Sequence, residues 1–446
     1  MDIIAISDVG LGNRSYVIDV GGGAALVVDP PRVVAPHLAA AREHDLTIRF
    51  VAETHLHADF VSGGRELVSD GLRLLVPAAG GYAFDRRGLS DGDEVDLGGL
   101  TLQSIATPGH TPEHLAFLLC DGTTPVALFS GGTLMAGGVA RPDLIAPEHT
   151  EQLARAAWRS ITGPLLTLPD ELLVYPTHGG GSFCAPAGGT SETTTIGEQR
   201  RTNPLLNAVD EDDFVARLLG GLGSYPPYFL HLREVNRRGP ALVGPDRPAL
   251  ARLTPDQVTQ AVGDGAIVID ARPIAGFAAG HLPASISIEL RPQFASWLGW
   301  TVPFGTPVVV VMDEDQDEAE LVAQALTIGY DQVLGRLDGG VPAWHADGRA
   351  VAMIPLLGPG DDRDGRQLVD VRQASEWKAG HVPGSLHAEA GSVVADLADL
   401  DGDVVTHCGH GQRAMTAASL LMRAGHTGVA VTSLGPDELT AIGWGP

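Results

Sequence analysis

Three histidine-bearing stretches carry the first chemistry in this chain. Glu53-Thr54-His55-Leu56-His57-Ala58-Asp59-Phe60 sets two imidazoles and a carboxylate at alternate positions. Thr107-Pro108-Gly109-His110 and Tyr175-Pro176-Thr177-His178 each end on a further histidine. Imidazole nitrogens and carboxylate oxygens supply the converging lone pairs that a divalent metal needs. A lone H-x-H in a turn is commonly just solvated, but three strand ends each delivering histidine point to a metal site. A second centre of a different kind lies towards the other end. Cys408-Gly409-His410-Gly411-Gln412-Arg413 places a thiol at the head of a glycine-rich turn, with a guanidinium five residues on. Backbone N–H groups in such a turn, and the start of a helix behind it, favour a thiolate and a persulfide anion over their neutral forms. Arg413 adds a planar cation for an anionic sulfur donor or acceptor.

The elements that must hold these groups follow from the pattern. Ile48–Ala52 is an apolar run that reads as a buried strand, with H-x-H-x-D at its carboxyl end. Leu102–Ala106 and Leu172–Tyr175 are the strands that deliver His110 and His178. Two β-rich runs, Ser15–Val20 and Ala24–Asp29, flank Gly21-Gly22-Gly23 and predict a hairpin. Val33–His44 and Arg65–Ser69 have helical composition. Strands and helices alternate onward to His178, which suits an α/β sandwich with the site at one sheet edge. Near the other end, Asp403–Thr406 leads into the Cys408 turn, and Ala414–Ala424 reads as the helix behind it.

A chain of 446 residues predicts two or three domains. The formal net charge of −26 argues against nucleic acid and against an anionic membrane as partners. Three cysteines, Cys120, Cys184 and Cys408, are too few and too scattered for a disulfide framework. The opening run Met1–Asp8 lacks a basic segment and a long apolar core, so no signal peptide is expected; nor does any apolar stretch reach membrane-spanning length. A reducing cytoplasm is the simplest location. Association into homo-oligomers is left open.

T-H-L-H-A-D-F, T-P-G-H and Y-P-T-H, in this order, resemble the metallo-β-lactamase fold, and A-D-F-V-S-G-G resembles the persulfide dioxygenases, especially those fused to rhodanese domains. The resemblance covers roughly the first half of the chain. It implies an αββα sandwich and one non-haem iron(II) per chain, with zinc(II) as the alternative. Two positions depart from the family. Where the family reads F-[ST]-G-D-[TA]-L, with the aspartate a metal ligand, this chain has Phe129-Ser130-Gly131-Gly132-Thr133-Leu134. Where many hydrolases of the fold carry a second-metal histidine, it has Phe60. What the resemblance leaves for one metal is His55, His57 and His110, with Asp59 and His178 supporting them. Asp143, in Arg141-Pro142-Asp143-Leu144, is a candidate substitute for the missing carboxylate. The stretches around Cys184 and Arg200 are the candidates for contact with the substrate's thiol carrier.

An internal repeat follows a linker around Asn236–Pro240 and Gly244–Pro248. Asp270-Ala271-Arg272 with Ala279-Gly280-His281-Leu282-Pro283-Ala284-Ser285 returns as Asp370-Val371-Arg372 with Ala379-Gly380-His381-Val382-Pro383-Gly384-Ser385. Both copies resemble rhodanese, a parallel-sheet α/β domain. The implied layout is a metallo-β-lactamase-fold domain over 1–240, a cysteine-less rhodanese-like domain over 250–352 and a rhodanese domain with Cys408 over 360–446. In the first copy, Met312-Asp313-Glu314-Asp315-Gln316-Asp317-Glu318 stands where the second has its cysteine turn, and it reads as a solvated acidic loop without catalytic capacity.

Taken together, the resemblances imply an enzyme of persulfide oxidation. Its first domain would use iron and O2 to oxidise a small thiol persulfide to sulfite. Its last would move sulfane sulfur through a Cys408 persulfide, exchanging with thiosulfate or sulfite. A second reading keeps only the sulfurtransferase, with the Gly132 domain as a scaffold. A third is a mononuclear zinc thioester hydrolase, against which the rhodanese fusion and both departures count.

Overall fold

The computed structural model describes residues 1–68, 73–185, 191–244, 249–400 and 402–444. Ser69, at the end of one expected helix, and Pro245–Pro248 of the expected linker lie outside the described residues. The chain divides into two compact units, one built on Met1–Arg247 with Leu326–Gly329 and one on Pro248–Ala325 with Tyr330–Pro446.

The first unit is an αββα sandwich. Six strands in sequence order, from Ile3–Asp8 to Arg87–Leu89, form one sheet, and the six from Glu94–Asp96 to Thr194–Thr195 form the other. The expected hairpin is present: Asn13–Gly21 pairs antiparallel with Ala24–Val28, and Gly21, Gly22 and Gly23 all take positive φ, which glycine adopts without a Cβ clash. Strand periodicity sorts the core. Tyr16, Ile18 and Val20 face the second sheet, where Leu115, Phe117 and Leu119 meet them. Val17 points the other way with Ala25 and Val27, against Ala40 and Ala41 of the helix Ala35–Glu43. Ala116, Leu118 and Cys120 point outward from the second sheet to Ala154, Ala157 and Ile161 of the helix Thr150–Thr162. Two-residue alternation thus gives each strand one face for the inter-sheet core and one for a helix layer.

In the second unit each repeat forms a five-stranded, all-parallel sheet with the same strand order. The first runs Arg252–Leu253, Val333–Leu337, Val308–Val311, Ile267–Asp270, Ile286–Ser287. The second runs Leu356–Leu357, Val429–Thr432, Val404–His407, Gln367–Asp370, Leu386–His387. The repeated motif is a folding device. Arg272 returns to Asp270 and donates to the Gly280 carbonyl at 2.7 Å; Arg372 does the same with Asp370 and Gly380, also at 2.7 Å. Ser285 and Ser385 each close the following turn on a carbonyl three residues back, both at 2.6 Å. Cys120, Cys184 and Cys408 are free and buried. No helix among the described residues is long and apolar enough to cross a membrane.

Candidate metal centre and sulfur-transfer site

The Thr47–Ala52 strand ends in the turn that holds His55, His57 and Asp59, and all three are buried. Three side chains from later in the chain pin this turn. Asn236 donates to the carbonyls of His57 and Phe60 at 2.8 and 2.9 Å, Tyr228 donates to the Asp59 carbonyl at 2.8 Å, and Glu113 accepts the Leu56 N–H at 3.1 Å. Sequence reasoning missed all three, since nothing near the motif announces them.

The histidines whose ring nitrogens converge are His55, His110 and His178, whose ligand atoms lie within 4.8 Å of one another. Hydrogen bonds fix the tautomer of each. Thr54 Oγ1 gives its one proton to Asp29, so it accepts from His55 Nδ1 at 2.8 Å. His110 Nδ1 donates to the Arg141 carbonyl at 2.7 Å. His178 Nδ1 donates to Asn13 Oδ1 at 3.0 Å and faces Asp59 at 3.3 Å. All three Nε2 atoms are left as lone pairs aimed at one point. Nε2 of His55 and of His178 stand 3.4 Å apart, and Nε2 of His110 finds no hydrogen-bond partner among the described residues. Two facing lone pairs and a third orphaned one fit a single divalent cation. Burial, reinforced by the neighbouring histidines, keeps His55 and His110 below the ordinary histidine range, His110 at about 3, so both are neutral and ready to ligate.

His57 departs from the expected ligand set. Its Nε2 lies 3.2 Å from Asp29 and 3.4 Å from Glu53, and Phe60 stacks on its ring at 4.2 Å. Burial disfavours its charge, but the two carboxylates outweigh that and raise it to about 10. The third converging nitrogen therefore comes from His178, because two buried carboxylates have captured His57. Asp59 stands behind His178, 3.3 Å from its Nδ1, and accepts from Asn13 at 2.8 Å.

The candidate replacement carboxylate does not serve. Asp143 forms a two-pronged pair with Arg141 at 2.7 and 2.8 Å, and the same guanidinium donates to the Gly223 carbonyl at 2.8 Å and lies over Tyr225. At Gly132 there is no spare room: a methyl group there would lie 2.9 Å from both His110 Cδ2 and Ala140 Cβ. The Gly132 N–H instead donates to Nε2 of His114 at 3.0 Å, a buried histidine that stacks on His55 and that the sequence reading did not single out. Arg200 is not at the site. It is exposed and tied to Asp170 and the Leu166 carbonyl, ahead of the strand Leu173–Pro176 whose far end leads to His178. Cys184 is buried and interacts with Asp59, and burial pushes its thiol well above the ordinary range, so it is no ready nucleophile.

In the second repeat, Val404–His407 leads to Cys408, and Gln412–Arg423 is the helix behind it. Gly411, at φ 92°, turns its N–H onto Cys408 Sγ at 3.2 Å. Arg413, in the first turn of that helix, is clamped by Glu376, with Nη2 at 2.9 Å. The acidic loop of the first repeat is less free than expected. Glu318 takes Arg336 at 2.7 Å and Arg252 at 3.0 Å, Glu314 also pairs with Arg336, and Gln316 ties the loop to the Ala271 carbonyl at 2.7 Å.

The description "Rhodanese-like domain" fits residues 254–347 and 360–441. The mitochondrial persulfide dioxygenase ETHE1 of Homo sapiens is 30% identical over 206 residues, 46% of this chain and 74% of that protein. A hydroxyacylglutathione hydrolase of Pseudomonas putida is 36% identical over 154 residues, 34% of this chain and 56% of that protein. A metallo-β-lactamase from Staphylococcus aureus superposes with a TM-score of 0.66 at 28% identity, over 75% of this chain and 98% of that one.

Proposed function

The chain belongs to the persulfide dioxygenase family and carries rhodanese-like domains in its C-terminal half; from that premise we propose that it oxidises a small thiol persulfide to sulfite at the three-histidine centre and transfers sulfane sulfur through Cys408. The observation that carries the first half is the convergence of three bare Nε2 atoms, each set by a hydrogen bond at Nδ1. Iron(II) held by His55, His110 and His178 would supply the one-electron chemistry that lets O2 react with a sulfur atom. The overall change is persulfide, O2 and water to thiol, sulfite and protons. Around the centre this chain's residues orient the three imidazoles and keep His55 and His110 neutral, and they seal the turn from water.

At the other site the Cys408 thiolate attacks the outer sulfur of a sulfur–sulfur bond. The new Sγ–S bond forms as the old bond breaks, and the electron pair leaves on sulfite or on the carrier thiolate. The Gly411 N–H and Arg413 support the negative sulfur. A second reading, sulfurtransferase alone, is favoured by one observation: the space of the missing carboxylate at Gly132 is filled by His110 and Ala140.

Oxygen uptake separates them. Protein loaded anaerobically with iron(II) is given glutathione persulfide in an oxygen-electrode cell. Uptake that persists in Cys408→Ser and vanishes in His110→Ala is expected. No uptake with any small-thiol persulfide from fully iron-loaded protein overturns the dioxygenase reading and leaves the sulfurtransferase.

A further inference from the structure

The edge of the cysteine-less sheet ends against the helix that carries the other repeat's thiol turn. At the strand Ile286–Ser287, the next residue, Ile288, turns its N–H inward to the Asp270 carbonyl at 3.0 Å, so alternation points both main-chain groups of Ser287 outward. Unpaired groups on a sheet edge need partners. Here two hydroxyls of the helix Gln412–Arg423 supply them. Thr416 Oγ1 donates to the Ser287 carbonyl at 2.7 Å, and the Ser287 N–H donates to Ser419 Oγ at 3.1 Å. Ser419 passes its own proton to the Thr416 carbonyl at 2.7 Å. The circuit is closed, and Ser287, Thr416 and Ser419 are all buried.

Two further contacts fasten the same helix to the first repeat. At its foot, Arg423 donates to the Ala284 carbonyl at 2.7 Å. At its head, a methyl group on Gly411 would lie 2.7 Å from Ile274 Cδ1 and 3.1 Å from Ser433 Cα, so the turn is wedged between the first repeat and its own. Gly411 is the residue whose N–H lies on Cys408 Sγ. The fastening thus runs from the sheet edge of one repeat to the sulfur of the other. It belongs to the cysteine-bearing helix: with Met312 aligned to Cys408, the first repeat has Glu320 and Ala323 where the second has Thr416 and Ser419.

We propose that the cysteine-less repeat is the platform that positions Cys408, with Thr416 and Ser419 as the positioning residues: their bonds to Ser287 hold the helix at the height and rotation that keep the Gly411 N–H on Sγ. This rests on the sulfurtransferase reading. The two hydroxyls act on the sulfur through the helix. A helix shift of about 1 Å would lift that N–H from the sulfur, and misplacement on this scale costs catalysis up to about 100-fold.

The test uses the full chain and two readouts. One is steady-state sulfur transfer to cyanide from glutathione persulfide or thiosulfate. The other is the rate at which iodoacetamide alkylates Cys408, resolved from Cys120 and Cys184 by peptide mass spectrometry. Thr416→Val keeps the shape and removes the hydroxyl; Thr416→Ser keeps the hydroxyl. In Thr416→Val, kcat should fall about 10- to 100-fold while KM for either donor stays within about threefold, and Thr416→Ser should stay near wild type. Alkylation of Cys408 should slow in step with kcat. Ser419→Ala should reproduce the pattern, and it carries the test if Thr416→Val does not fold. A wild-type kcat in both hydroxyl-free variants overturns the inference. So does faster alkylation, which would show a loosened fold exposing the buried thiol. Wild-type protein that transfers sulfur from neither donor overturns the sulfurtransferase reading instead, and slower alkylation of Thr416→Val would then still uphold the positioning of Cys408.

Discussion

His110 donates its Nδ1 proton to the carbonyl of Arg141 at 2.7 Å, and that one bond turns the opposite nitrogen into a bare ligand atom beside His55 and His178. The Arg141 backbone is in turn held by its own side chain, through Asp143 and the Gly223 carbonyl. Asp143 therefore acts on the centre without touching it.

Removing that support should loosen the metal. Asp143→Ala is expected to lower iron(II) affinity about 10- to 100-fold, the usual effect of losing a group that orients a ligand. Chelator competition followed by metal analysis would measure it. Affinity equal to wild type would mean that the Arg141 carbonyl keeps its place unaided.

Restoring the family's carboxylate should be costly. Gly132→Asp puts a Cβ 2.9 Å from His110 and Ala140, an overpacking expected to cost about 1–3 kcal/mol. Combining it with Ala140→Gly removes one of the two clashes and should recover part of the loss. Urea midpoints of the single and double variants test this, and a single variant as stable as wild type would refute it.

The repeated D-x-R motif should matter for stability even where there is no cysteine. Asp270 is fully buried under Arg272, with contacts of 2.9 and 2.6 Å. Asp270→Ala strands a buried guanidinium and should destabilise the second unit by roughly 3–5 kcal/mol. Denaturant unfolding followed by tryptophan fluorescence would show it, since Trp297 and Trp300 are buried in the same repeat.

Acid should weaken the first unit through a buried histidine outside the converging set. His37 is buried against Ser15, at 2.6 Å, and burial holds it down at about 4. Its ordinary value is 6.5, so between these pH values the unfolded chain binds a proton that the folded chain does not. The stabilisation is complete above pH 6.5 and declines as the pH falls towards 4, by ~3 kcal/mol in all. The difference in urea stability of metal-free protein between pH 7 and pH 5 should shrink in His37→Gln. An unaltered difference would count against His37 as its source.

The sequence by itself determined the architecture and the reactive atoms. Alternating apolar residues such as Tyr16, Ile18 and Val20 specify strands with two buried faces, and the repeated D-x-R with A-G-H-x-P-x-S specifies two like domains. Side-chain type is local information, so His55, His110, His178, Cys408 and Arg413 were all legible as chemistry. Only the tertiary structure decided how they combine. A backbone carbonyl has no signature in a sequence, so the role of Arg141 in aiming His110 was hidden. The partners of His57, Asp29 and Glu53, come from two different strand ends and divert it from the place that its spacing suggested. Asn13, Tyr228 and Asn236 meet the metal turn only once the chain has folded back on it. The Cys408 turn meets the cysteine-less repeat only because the helix Gln412–Arg423 packs across the strand Ile286–Ser287.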